Sequence, residues 1–302
     1  MSDQSPAEAL RARLGRVGVW SNQPVIAEPA VTRELAAEVE ELGYSAIWYP
    51  EGVWKESFAA SAVVLAATSR LVAATSIANI YARDPTSAAA GAKTLADAWP
   101  GRFVLGLGAS HSHVAEMRGH VYGKPIEAMR AYLDGMDAAP YMAHEPEQPA
   151  PRLLAALGPR MLELAAERTD GAHPYFVQVE HTVFARERLG PKPYLAVEQA
   201  VMLETDATRV AEAARPFVAF YSGADNYRRH MLRMGWSEAD LDGPSDAVVD
   251  AIVAHGDEAA IRARVQAHLE AGADHVCIQA LPSDGPPLDQ LRRLAPALLD
   301  LS

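Results

Sequence analysis

Gly101-Arg102-Phe103-Val104-Leu105-Gly106-Leu107-Gly108-Ala109-Ser110-His111-Ser112-His113 decides the fold. It opens after a Pro100-Gly101 turn and runs apolar from Phe103 to Leu107. It then breaks into small residues and two histidines. An apolar run without polar alternation reads as a strand buried on both faces. Gly106 and Gly108 leave room for another group to approach the backbone. Ser110, His111 and His113 then fall just past the strand's C-terminal end, where parallel α/β folds bind ligands.

Outward from that stretch the order repeats. Arg16 to Trp20 is a short apolar strand, and 32–42 carries Leu35, Val39 and Leu42 on one helical face, stopped by Gly43. A strand over 45–49 ends in Pro50-Glu51-Gly52. An alanine-rich helix over 57–68 and a strand over 71–80 follow, and a helix over about 86–99 leads back to Gly101. Further strands are expected over 152–157, 172–177, 194–203 and 274–281, with helices over 126–136, 161–168, 181–189, 257–271 and 288–301. Eight strands separated by helices suit a closed (β/α)8 barrel. An open doubly wound sheet would show its glycine-rich turn after the first strand, and Ser21-Asn22-Gln23-Pro24 stands there instead. The 302 residues read as one domain with a helical insertion at 221–256, between strands seven and eight.

Composition narrows the function. A net charge of −12, without a basic stripe, argues against nucleic acid and anionic membrane surfaces. Cys277 is the only cysteine, so no intrachain disulfide can form. No signal-peptide core precedes Leu14 and no apolar run is long enough for a bilayer, so a cytoplasmic protein is expected.

Several segments together resemble the bacterial luciferase-like monooxygenase superfamily, in its branch that uses coenzyme F-420, an 8-hydroxy-5-deazaflavin. They are Leu42-Gly43-Tyr44 with Trp48 to Glu51; Thr75 to Asn79 with Arg83-Asp84-Pro85; Gly101 to His111; Ala156 to Met161; Asp170 to His173; and Ala271 to Val276. Their order is the specific part, and it covers nearly the whole chain. The resemblance implies a TIM-type barrel with the deazaflavin at the C-terminal strand ends, and often a homodimer. It also implies a bulge in the third strand behind the ring, with a cis peptide at Ser76–Ile77.

On this reading Ser76, Ile77, Asn79 and Gly108 meet the ring. Gly158 and Arg160, at a helix start with free N–H groups, meet the cofactor phosphate, with His173, His181 and Thr182 as further contacts. Trp20, Tyr227 and Trp236 would wall the substrate pocket. His111 falls where sugar-dehydrogenase members carry an acid, and Glu51 where related members carry an Asp-His pair. This chain departs from both patterns, so substrate does not carry over. His111 and Glu51 are the candidates to move the proton that accompanies hydride transfer. A His-x-His metal site through His111 and His113, with His120 or His173, is set aside: barrel hydrolases place that pair after the first strand. The expected function is an F-420-dependent oxidoreductase acting on a small organic molecule. The alternatives are an FMN-dependent monooxygenase of the same superfamily and a cofactor-binding barrel without turnover.

Overall fold

The computed structural model describes residues 5–282 and 285–301. Nine strands form one sheet: β1 Val17–Trp20, β2 Ala46–Pro50, β3 Val72–Asn79, β4 Phe103–Gly108, β5 Arg152–Leu154, β6 Gly171–Ala172, β7 Tyr194–Met202, β8 Val253–His255 and β9 His275–Ala280. All pairings are parallel, and eight strands close a ring, with β9 joining β7 to β1. The short β8 lies outside that ring, on β7 at Ala200 to Met202. Helices cover the outside between strands, and several begin with proline, whose missing N–H costs nothing in a first turn. Among the described residues no helix is long and apolar enough to cross a membrane.

The buried strands sort their side chains by alternation. Ile47, Tyr49, Leu105, Leu107, Leu195 and Ile278 pack outward under the helices. Trp20, Trp48, Ala74, Val104, Ala196 and Cys277 form a second cluster inside. An eight-stranded barrel of shear eight advances one residue per strand at constant height. Following the strand register with that advance places Trp20, Ser76, Ala155 and Glu198 in one inner layer in the C-terminal half of the barrel. Trp48, Gly106, His173 and Cys277 form the layer beneath, where the rings of Trp48 and His173 stack at 4.8 Å.

The third strand does bulge. Its register against β4 shifts between Thr75 and Ala78. The cis peptide expected at Ser76–Ile77 is absent: that bond is trans, and the extra residue in the ladder makes the bend instead. The one cis peptide among the described residues is Leu281–Pro282.

The glycines of β4 serve this bulge rather than a ligand directly. A Cβ on Gly106 would stand 2.0 Å from the Thr75 carbonyl oxygen, and one on Gly108 would stand 2.3 Å from Ile77 Cγ2. Gly106→Ala should therefore cost about 1–3 kcal/mol, as overpacking against backbone does. Denaturant melts measure this, and an unchanged midpoint would mean that the bulge can retreat.

Three further boundaries differ from the sequence reading. β6 is two residues long, because Pro174 and the left-handed Phe176 (φ 60°) turn the chain. β5 stops at Leu154. The expected start of the insertion, 221, falls inside the helix Ala207–Ser222; beyond it come the helices Asp225–Arg233, Glu238–Leu241 and Asp246–Ile252, and β8. An N-terminal helix, Pro6–Leu14, held by a Ser5–Glu8 capping box, was not anticipated.

Candidate active site at the barrel mouth

Three strand ends build one face of the mouth. After β4 the chain reaches Ser110 in the left-handed region (φ 59°) and then His111, which begins the helix Ser112–Met117. Ser110 is pinned on both sides: its hydroxyl accepts from Asn79 Nδ2 at 3.1 Å, and its carbonyl accepts from the Tyr122 hydroxyl at 3.1 Å. The half-buried His111 ring faces His113 at 5.7 Å and Tyr227 of the insertion at 5.9 Å. Burial pushes its pKa below 6.5, helped by the charge of His113 and opposed by a hydrogen bond to Asn226. The shift favours the neutral ring, the form that accepts a proton. Among the described residues, no group of three His, Cys, Asp or Glu side chains is placed to hold a metal.

Glu51 at the end of β2 is fully engaged. Its Oε1 accepts from the Ser57 N–H at 3.1 Å and pairs with Arg83; its Oε2 accepts from the Asn79 N–H at 2.8 Å. It buckles the end of β2 to the segment just beyond the bulge and to the start of the helix Ser57–Ala66. His111 and Glu51 thus stand at the same mouth, but Glu51 faces protein donors.

A strip of partly exposed small and apolar surface runs from Ile77 across Ala109, Ala155 and Leu157 to Gly158. Beside its start lies the Ser76 hydroxyl, buried and without a partner. At its far end Gly158 caps the helix Pro159–Arg168, where Arg160 is exposed. The insertion adds to that end: a Cβ on Gly158 would lie 3.9 Å from the Arg233 guanidinium. His181 donates from Nε2 to the Leu157 carbonyl at 3.1 Å, and the ring of His230 meets it edge-on at 4.6 Å. Neither ring nitrogen of His230 has a partner, nor has His181 Nδ1. Burial pushes these two imidazoles down, His181 to about 4 and His230 to about 2, so both are neutral. A helix N-terminus, two arginines and unpaired imidazole nitrogens fit the phosphate of a cofactor lying along the strip.

The other residues named from sequence lie elsewhere. His173 is inside the barrel, with Nδ1 on the Ala196 carbonyl at 3.0 Å. Thr182 is buried in the helix layer, its hydroxyl 2.7 Å from His268 Nδ1. Trp20 lies 5.0 Å from Tyr175, which with Phe176, Tyr221 and Tyr227 makes an aromatic cluster that reaches His111 through Tyr227. Trp236 stands at its edge, donating to Gln178 Oε1 at 2.6 Å. Sequence reasoning missed His230, Arg233 and Glu198. The first two sit in an insertion with no motif, but a Glu-Gln pair amid the apolar run 194–203 was a visible signal.

The chain is thus a (β/α)8 barrel with a bulged third strand, an open strip at its C-terminal mouth and, at one end of that strip, a helix N-terminus flanked by arginines. A sequence model of the luciferase-like monooxygenase family matches residues 12–275, and the chain belongs to that family. It is 26% identical to a Mycobacterium tuberculosis protein whose name assigns it, provisionally, to the coenzyme F-420-dependent oxidoreductases, over 88% of this chain and 94% of that one. Among solved structures, an F-420-dependent secondary alcohol dehydrogenase in complex with an F-420–acetone adduct matches with a TM-score of 0.75 and 15% identity, covering 94% of this chain and 99% of that one. The coenzyme F-420-dependent tetrahydromethanopterin reductase of Methanopyrus kandleri matches with a TM-score of 0.71 and 16% identity, covering 95% and 99%.

Proposed function

We propose that this protein is an oxidoreductase that binds coenzyme F-420 along the strip and passes a hydride between it and a small organic substrate. The observation that carries this reading is the pairing of the β3 bulge, with its unpartnered Ser76 hydroxyl, and the anion cradle at Gly158. The F-420-dependent relatives favour the deazaflavin over FMN. When bound, the deazaflavin supplies hydride chemistry. The chain's own residues do the rest: Ile77 and the bulge back the ring, Gly158, Arg160, Arg233 and His230 hold the phosphate, and Glu51 fixes the bulge. His111 carries the substrate proton to and from solvent.

Fluorescence titration with the deazaflavin and with FMN tests the reading. The expected deazaflavin Kd is about micromolar or tighter, about −8 kcal/mol or better, with weaker FMN binding. Tight FMN binding with no deazaflavin binding would replace this reading with an FMN-dependent monooxygenase.

A further inference from the structure

The inner layer of Trp20, Ser76 and Glu198 is polar in a way the fold does not require. Trp20 Nε1, Ser76 Oγ and Glu198 Oε1 are all buried without a partner, and so is His173 Nε2 in the layer beneath. Buried polar groups normally find partners, and four left over around one barrel end mark a place built for a ligand's polar atom. Glu198 is the unusual member. Its Oε2 accepts from the Phe176 N–H at 2.9 Å, while Oε1 faces no donor. The titratable groups around it are Tyr175 beyond β6, Tyr221 and Tyr227 from the two insertion helices, and Cys277 across on β9. None is a cation, and burial raises the Glu198 pKa to about 8 against the pull of the Phe176 hydrogen bond. At neutral pH this carboxyl keeps its proton, which makes it a hydrogen-bond donor.

The layer thus presents an indole N–H, a hydroxyl and a carboxylic O–H, with no fixed positive charge. Such a set suits a neutral acceptor oxygen and gives an anionic substrate no counter-charge. The wall above it is aromatic. We propose that Glu198 is a catalytic hydrogen-bond donor to the carbonyl oxygen of a neutral ketone or enone with an apolar body. This rests on the deazaflavin reading above. In the reducing direction a hydride leaves the reduced deazaflavin, which is oxidised, and bonds to the carbonyl carbon. The π pair moves to oxygen, and Glu198 holds the developing negative charge with its O–H. The oxygen then takes a proton delivered from water through His111, and Glu198 keeps its own.

Two measurements test this. The first is infrared spectroscopy of the cofactor-free protein and of Glu198→Gln. A protonated-carboxyl band is expected at pH 7, fading as pH rises through about 8 and missing from the variant; on the deazaflavin-loaded protein, cyclohexanone or cyclohex-2-enone should shift it. The second is oxidation of reduced deazaflavin by those two ketones. Glu198→Leu should lower turnover roughly 10²- to 10³-fold, the worth of one such donor, with unchanged deazaflavin affinity. Glu198→Gln keeps a donor at every pH. It should retain most turnover and lose the decline above pH 8. An ionised Glu198 at pH 7, a band that neither ketone moves, or a Leu variant with wild-type turnover would each overturn the proposal. Failure of the wild type to bind deazaflavin would instead remove the functional reading, while the infrared result on the cofactor-free protein would still stand.

Discussion

Glu51→Ala should destabilise the protein by about 3–5 kcal/mol, the cost of breaking a buried ion pair and leaving its partner behind. The Glu51 side chain is 1% exposed and that of Arg83 10%. Without Glu51, the Ser57 and Asn79 N–H groups lose their acceptor as well. Arg83 keeps its pair with Glu56 and its place over the Phe58 ring, 4.4 Å away, which holds the loss within that range. The effect should extend to function, because Asn79 follows the bulge directly and also holds Ser110. Deazaflavin affinity should weaken together with stability. Chemical denaturation of Glu51→Ala, with a parallel cofactor titration, measures both. A midpoint within experimental error of wild type would show that the buckle is dispensable, and Glu51 would again be open to a role in proton transfer.

The legible part of this protein was its barrel. Strand 103–108 announces itself because both faces are buried, so every residue is apolar or small, and 194–202 does so too apart from Glu198 and Gln199. Helices ended where Gly43 and Gly272, both with positive φ, permit a left-handed turn. Positions at strand ends were also readable, which is why His111, Ser76 and Gly158 come to one face. Partners were not. Nothing local distinguishes a glutamate bound to three donors from one waiting for substrate, so Glu51 read as a candidate base. Thr182 read as a cofactor contact because it follows β6 closely in sequence, yet a helix turn sends its hydroxyl to His268, 86 residues away. The insertion was the least legible part: Tyr227 was named from it, but His230 and Arg233 depend on how its helices fold back, and no periodicity within them records that.

His111 carries the largest expected effect on chemistry. It is reached by a short, rigid path: Gly108 lies beneath Ile77, Ser110 is pinned from β3 and from Tyr122, and the His111 ring then comes to the mouth beside Tyr227. On the proposed function it would accept the substrate proton in the direction that oxidises the substrate, which requires the neutral ring. Because burial pushes its pKa below 6.5, the acid limb of the activity profile should fall below the ordinary histidine range, with activity lost as pH drops through it. His111→Ala should lower turnover by roughly 10²- to 10⁴-fold, the usual worth of a general acid or base. Deazaflavin affinity should change little, since the proposed cofactor contacts are the bulge and the Gly158 end of the strip. His111→Gln is the stricter variant: it keeps polarity and approximate size, cannot titrate, and should abolish the acid limb. The two readouts separate three roles. Lost turnover with intact cofactor binding identifies a proton carrier. Lost deazaflavin binding would make His111 a cofactor ligand. A Gln variant with wild-type turnover and an unchanged pH profile would leave it a packing residue against Tyr227, and the proton would then pass directly between substrate and water.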